Sequence, residues 1–102
     1  MLECSVIILN WNGEAMLRRY LPSVIQYTQL EGVEIVVADN GSTDASLEFL
    51  HSQPVRIIEL GENLGFAEGY NRAIEQVESK YVVLLNSDVE VTSNWLDTLL
   101  NY

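Results

Sequence analysis

Three short segments of this chain gather oxygen-bearing side chains in patterns suited to a polar, anionic ligand. Asn86-Ser87-Asp88 sets a carboxylate beside a hydroxyl and an amide, directly after the apolar run Tyr81–Leu85. Such hard donors suit Mg²⁺ or Mn²⁺, ions that keep several waters and bridge one or two carboxylates to substrate phosphates. Asp88 alone is then sufficient, with Asn86 as a neutral donor and Glu90 acting through water. The same tripeptide also reads as an ordinary turn, because Asn and Asp suit turn backbones. Asp39-Asn40-Gly41-Ser42-Thr43-Asp44 follows a second apolar run, and an acid ending a strand can accept hydrogen bonds from a base or ribose. Asp39 fits a purely structural turn equally well. Gly61–Asn71 (GENLGFAEGYN) repeats glycine at every fourth residue. That spacing matches neither the dinucleotide fingerprint nor the P-loop, but it permits close backbone approach and opens a helix whose N-terminus suits an anion.

The rest of the chain narrows the chemistry. Against 5 Lys and Arg stand 15 Asp and Glu, a formal charge of −10. Such a field disfavours nucleic acid and anionic membranes, and it repels a phosphate-bearing ligand unless a cation accompanies it. No Ser–His–acid set and no Cys/His metal spacing occurs. The lone Cys4 enters a strand with no basic residue nearby, which reads as a buried structural thiol and points to a reducing compartment. His51 falls far from the polar segments and reads as surface or helix end. Arg72 reads as the partner of a neighbouring glutamate. No apolar run approaches the ~20 residues of a membrane-spanning helix, and Met1-Leu2-Glu3 lacks the basic head of a signal peptide.

The elements that must position these segments alternate along the 102 residues. Ser5–Leu9, Glu34–Ala38, Val55–Leu60 and Tyr81–Leu85 are short apolar runs of strand type. Between them lie helical patterns. Asn12 is expected to cap the first, with Leu17, Tyr20, Leu21, Val24 and Ile25 on its apolar face and Pro22 kinking or restarting it. Ser42 to Asp44 offer caps to a second helix, carrying Leu47, Phe49 and Leu50. A third carries Ala67, Tyr70, Ile74 and Val77, and a last one Trp95, Leu96, Leu99 and Leu100. Strand–helix alternation with uninterrupted apolar strands predicts an α/β domain with an open parallel sheet covered on both faces. Right-handed crossovers then bring every loop that follows a strand to one edge, where ligands bind at the reversal of strand order. Asn10, Asn12, Asp39, Gly61 to Gly65 and Asn86 to Asp88 all belong to that edge. The apolar last helix and two open sheet edges also predict either a longer domain or pairing with another copy.

Read together, the segments resemble the inverting family 2 glycosyltransferases of GT-A fold. SVIILNWNG looks like that family's opening strand and turn, VVADNGSTDAS like its acid-x-Gly-Ser-Thr-Asp segment, and NLGFAEGYNRAI like its Asn-x-Gly-x-x-x-Gly-x-Asn stretch. VVLLNSDVEV resembles the strand ending in its metal-binding acid-x-acid motif, and the likeness runs in order from Ser5 to about Leu100. NWNG and LLNSDVEV look most like rhamnosyltransferase-type members. The resemblance implies a nucleotide-diphospho-sugar donor, a divalent cation (Mg or Mn) and a glycan or lipid-linked acceptor. It places Asn10 and Asn12 along the nucleoside, Asp39 on the base, and Asn63, Gly65, Asn71 and Ser87 in the nucleotide pocket. Asp88, with Asn86, holds the metal.

Asn86 replaces the first acid of that motif, which weakens the metal site. The family's catalytic base lies beyond the metal motif, so it is expected beyond Tyr102, and the chain is expected to be a truncated, donor-binding half with little activity alone. The resemblance also implies a cytoplasmic protein, peripheral to the inner membrane face at full length. The alternative is a non-enzymatic module that self-associates through its last helix and open sheet edge. A nucleotidyltransferase lacks its Gly-rich basic loop here, and a receiver domain would want acids where Asn10 and Asn12 stand.

Overall fold

The computed structural model describes residues 2–100. Its elements are β1 (Leu2–Asn10), α1 (Glu14–Gln26), β2 (Val33–Asp39), α2 (Ser46–His51), β3 (Arg56–Glu59), α3 (Phe66–Ile74), β4 (Ser79–Asn86) and α4 (Trp95–Leu100). The strands form one parallel sheet in the order β3-β2-β1-β4. Chain order and spatial order part company at β1: the chain steps outward through β2 and β3, then returns to lay β4 on the other side. The reversal therefore falls between β1 and β4, where a crevice opens at the strands' C-terminal ends.

Right-handed crossovers explain the layering. The outward steps put α1 and α2 on one face, where Leu17, Leu21, Val24 and Leu50 pack with Ile8 and Val37. The return step puts α3 on the other, where Tyr70 and Ala73 pack with Ile7, Val36, Ala38 and Ile58. β1 is central and loses both faces to helices, so Cys4 through Ile8 are all buried. That accounts for a run of β-branched residues without polar alternation. Cys4 is a free thiol with no access to solvent, and burial, reinforced by Glu3, pushes its pKa up. It is structural, as its surroundings in sequence suggest.

Several local expectations need correction. The sheet is not covered on both faces throughout: Val82 and Leu84 of β4 are exposed, as is Tyr81. The reason is that α3, the helix on that face, lies over β1 and β2 and leaves β4 bare. Pro22 neither breaks nor restarts α1, which runs unbroken through it; the proline is exposed, and Ser23 Oγ donates to the Tyr20 carbonyl 2.9 Å away. Asn12 does not cap α1, because Gly13 takes the N-cap position without a side-chain bond. Ala67 is exposed and Val77 lies past the end of α3. α4 does find a partner within the chain: Leu96 is buried against Cys4 and Val6, and Trp95 Nε1 donates to Thr28 Oγ1 at 3.0 Å, leaving Leu99 exposed. None of Ser42 to Asp44 takes the N-cap position of α2, which falls to Ala45 without a side-chain bond; Asp44 instead accepts the Ser46 amide at 3.0 Å from one residue further out, and Arg72 pairs with Glu68 at 3.6 Å on the exposed side of α3.

Candidate functional site

The crevice between β1 and β4 is an open cleft of about 630 Å³. Leu9, Trp11 and Gly13 enter it from the end of β1, Met16 from α1 and Asn40 from the turn after β2. Asn63, Gly65, Phe66 and Tyr70 come from the glycine loop and α3, and Asn86, Ser87 and Asp88 from the end of β4. Five residues picked out from sequence thus meet at one wall or another: Asn63, Gly65, Asn86, Ser87 and Asp88. Asn10, Asn12, Asp39 and Asn71 do not line the cleft.

Asp39 differs most from expectation. It is only 1% exposed and its carboxylate is spent inside the fold. Oδ1 accepts from Asn10 Nδ2 at 3.0 Å and from Ser42 Oγ at 2.7 Å, while Oδ2 accepts from the Ser42 amide at 3.0 Å. A direct contact with a base would have to break this network. The next residue, Asn40, reaches the cleft instead. Its Nδ2 donates to Asn63 Oδ1 at 3.2 Å and to the Gly65 carbonyl at 3.1 Å, and its Oδ1 accepts from the Leu64 amide at 2.9 Å. Asn40 therefore clasps the glycine loop to the end of β2. Gly41 makes room for that clasp: its φ is +79°, and a Cβ there would sit 2.7 Å from the Glu62 Cα.

Asn10 and Asn12 work from beneath and beside the cleft. Asn12, with φ +49°, accepts through Oδ1 from the amides of Thr43 at 2.6 Å and Asp44 at 3.3 Å. It caps the turn after β2, not its own helix. Asp44 completes the joint by accepting the Glu14 amide at 3.2 Å. Slight burial pushes the Asp44 carboxyl upward, but hydrogen bonds from Ser46 and Glu14 outweigh it and hold its pKa below the usual carboxylate value. Asn10 is buried beside the cleft, its Nδ2 committed to Asp39 and Ser42. Its Oδ1 has no partner among the described residues. A Cβ on Gly13 would come within 2.5 Å of that oxygen and 3.8 Å of Ser87 Oγ, so the glycine leaves a gap between them. A buried acceptor without a donor is costly, and it suits a ligand hydroxyl or N–H entering from the Ser87 side.

Around these polar groups stand aromatic surfaces that sequence reasoning did not assign. Trp11 is 55% exposed and Phe66 69%, both line the cleft, and Phe66 meets Tyr70 edge-on at 4.9 Å. Bare aromatic faces at a polar crevice are suited to stacking on a planar base. The legible signal was their place, one residue past a strand end and at the first turn of a helix. Asp88, Asn86 and Ser87 are the oxygen-bearing residues of the cleft that could hold a metal. Among the described residues no three His, Cys, Asp or Glu side chains gather. The set therefore fits a hard cation shared with ligand phosphates and does not form an all-protein cage.

An open parallel α/β sheet with its cleft at the strand-order reversal defines the class: a doubly wound α/β domain that binds its ligand at that edge. The chain belongs to Glycosyl transferase family 2, whose profile it matches over residues 5–102. An uncharacterized glycosyltransferase of Haemophilus influenzae is 29% identical over 96% of this chain. The chain covers 32% of that relative, so it spans about a third of its length. Staphylococcus aureus TarS, solved in complex with UDP-GlcNAc, superposes with a TM-score of 0.86 at 24% identity, over 98% of this chain and 30% of that one. The mannosyltransferase PcManGT from Pyrobaculum calidifontis, solved with GDP-Man and Mn²⁺, superposes with a TM-score of 0.80 at 23% identity, over 97% and 30%. The fold is that of the GT-A transferases.

Proposed function

We propose that this chain is the donor-binding part of an inverting, metal-dependent glycosyltransferase that uses a nucleotide-diphospho-sugar. The observation that carries the reading is the convergence of Asp88 and Asn86, the glycine loop and two bare aromatic rings on one cleft at the strand-order reversal. In this reading Trp11 and Phe66 flank the base, and the gap at Gly13 admits a ligand donor to Asn10 Oδ1. Asn40 holds Asn63 and Gly65 in place along the nucleotide. Asp39 keeps Asn10 and Ser42 aligned from beneath and does not touch the ligand.

Asp88, with Asn86 as a neutral donor, would hold a divalent cation against the diphosphate. Bound there, such a cation offsets the charge that builds on the departing nucleotide. The −10 charge of the chain makes the same demand, since an unaccompanied diphosphate would be repelled. We propose a glycan or lipid-linked glycan as the acceptor, its hydroxyl activated by residues outside this cleft. We place the full protein in the cytoplasm, at the inner face of the membrane.

Calorimetric titration with UDP- and dTDP-sugars, with Mn²⁺ and with EDTA, tests the reading. dTDP-sugars are included because NWNG and LLNSDVEV look like rhamnosyltransferase-type sequences. Mn²⁺-dependent binding of one donor is expected. A folded sample that binds none of them with metal present would sink the proposal, and concentration-dependent sedimentation would then favour self-association.

A further inference from the structure

The end of β4 leads into the Asn86-Ser87-Asp88 turn, which faces the glycine loop and α3 across the cleft. Among the described residues β4 pairs with β1 alone. On the face that α3 covers elsewhere, Val82 and Leu84 are bare. Across that face one hydrogen bond joins α3 to β4 among the described residues: the Tyr70 hydroxyl donates to the Leu85 carbonyl at 3.0 Å. Leu85 immediately precedes the Asn86-Ser87-Asp88 turn.

Tyr70 is placed for this reach. Gly69 lets α3 lie directly on β1, since a Cβ there would meet Leu9 Cδ1 at 2.9 Å and Asn40 Nδ2 at 3.2 Å. The next side chain then spans β1 to arrive at β4. Its ring is 4% exposed and wedged beside Phe66. Burial pushes the hydroxyl's pKa up, with the nearby Leu9 backbone acting the other way, so the group stays a neutral donor at physiological pH.

We propose that Tyr70 is a positioning residue: through Leu85 its hydroxyl sets the distance between the Asn86–Asp88 turn and the opposite wall at Asn63 and Gly65. The inference rests on the donor-site reading above. A ligand that spans both walls needs them in fixed register, because metal–oxygen distances tolerate only about 0.2 Å of error. Without the bond, no hydrogen bond joins α3 to β4 among the described residues, and the turn keeps the β1 ladder before it and buried Val91, whose amide donates to Ser23 Oγ at 3.4 Å, after it. Nucleoside contacts on the other wall are independent of it, whereas metal-assisted contacts to phosphate are not.

Tyr70→Phe removes the hydroxyl and keeps the ring. UDP affinity is measured for the chain and the variant in EDTA and in Mn²⁺, alongside hydrogen exchange of the backbone amides. The expected result is unchanged affinity in EDTA, a Mn²⁺-dependent tightening about fivefold smaller, from the loss of one hydrogen bond, and faster exchange at Ser87 and Asp88 with none gained in β2. Equal Mn²⁺-dependent tightening in both proteins, or exchange unchanged at the turn, overturns the inference. A uniform loss of affinity in EDTA and Mn²⁺ alike also overturns it, by showing a general packing role. If the unaltered chain shows no Mn²⁺-dependent tightening, the donor-site reading fails and takes the ligand argument with it. The exchange comparison still decides whether Tyr70 holds the turn.

Discussion

Replacing Asp39 by Asn keeps the shape of the side chain and separates the two jobs the residue could have. Three hydrogens point at its carboxylate, from Asn10 Nδ2 and the Ser42 hydroxyl to Oδ1 and from the Ser42 amide to Oδ2. An asparagine keeps one oxygen, so two charge-assisted bonds become neutral ones. Its amide nitrogen then faces the Ser42 N–H, donor to donor. A bond to a charged group contributes about 1.5–3 kcal/mol and a neutral one about 0.5–1.5, while a buried donor left without an acceptor costs about 1–3. At 1% exposure, water cannot relieve the mismatch. The expected loss is about 3 kcal/mol, which lowers the Tm of a domain this size by roughly 15 °C. A melt followed by circular dichroism measures it, and a UDP and Mn²⁺ titration well below both midpoints measures binding by the folded variant. Binding within a few-fold of the parent is expected. A variant that melts within about 3 °C of the parent yet fails to bind would refute the scaffold role and restore Asp39 as a direct ligand contact.

Three other outcomes follow from particular geometry. Gly41→Ala combines a left-handed backbone with a Cβ 2.7 Å from the Glu62 Cα, so it should cost about 2–4 kcal/mol. Urea denaturation reading under about 1 kcal/mol would show that the loop yields freely. Asp88→Ala lies on an exposed turn, so stability should change by less than about 0.5 kcal/mol, while Mn²⁺-dependent nucleotide affinity disappears; retained metal dependence would move the cation elsewhere. Asp44 has a pKa below its ordinary 3.8, so the bonds it accepts persist above that value and are lost as pH falls through the lower, folded value. An NMR titration of the Glu14 and Ser46 amides should show a midpoint below 3.8, and one at or above 3.8 would contradict the joint.

The parallel sheet was legible because β1 through β4 each announce themselves as short apolar runs between helical patterns, and handedness then leaves few arrangements. Which residues line the cleft was legible at Asn86, Ser87, Asp88, Asn63 and Gly65, each placed there by its own turn. What spacing leaves open is the direction of a side chain. Asp39 and Asn40 are adjacent in sequence and opposite in fate, one buried under the cleft and one at its wall. No periodicity distinguishes them, because the chain leaves its strand at that point and the pleat no longer sets which way a side chain points. Asn12 was misread for a similar reason: its oxygen finds amides about thirty residues away, at Thr43 and Asp44.

What the sequence determined by itself was therefore the order of elements, the edge that gathers polar turns, and the ordered motifs that place the chain in its family. Each depends on local spacing, which a chain carries wherever it folds. Tertiary structure alone decided that Val82 and Leu84 on one face of β4 stay exposed and that the Tyr70 hydroxyl reaches across to the Leu85 carbonyl. It also set Asp39 beneath the cleft and Asn40, itself buried, against the glycine loop at its wall. Those outcomes come mostly from packing between segments far apart in the chain, where a hydroxyl or carboxylate takes whichever partner a neighbouring strand, turn or helix brings within 3 Å.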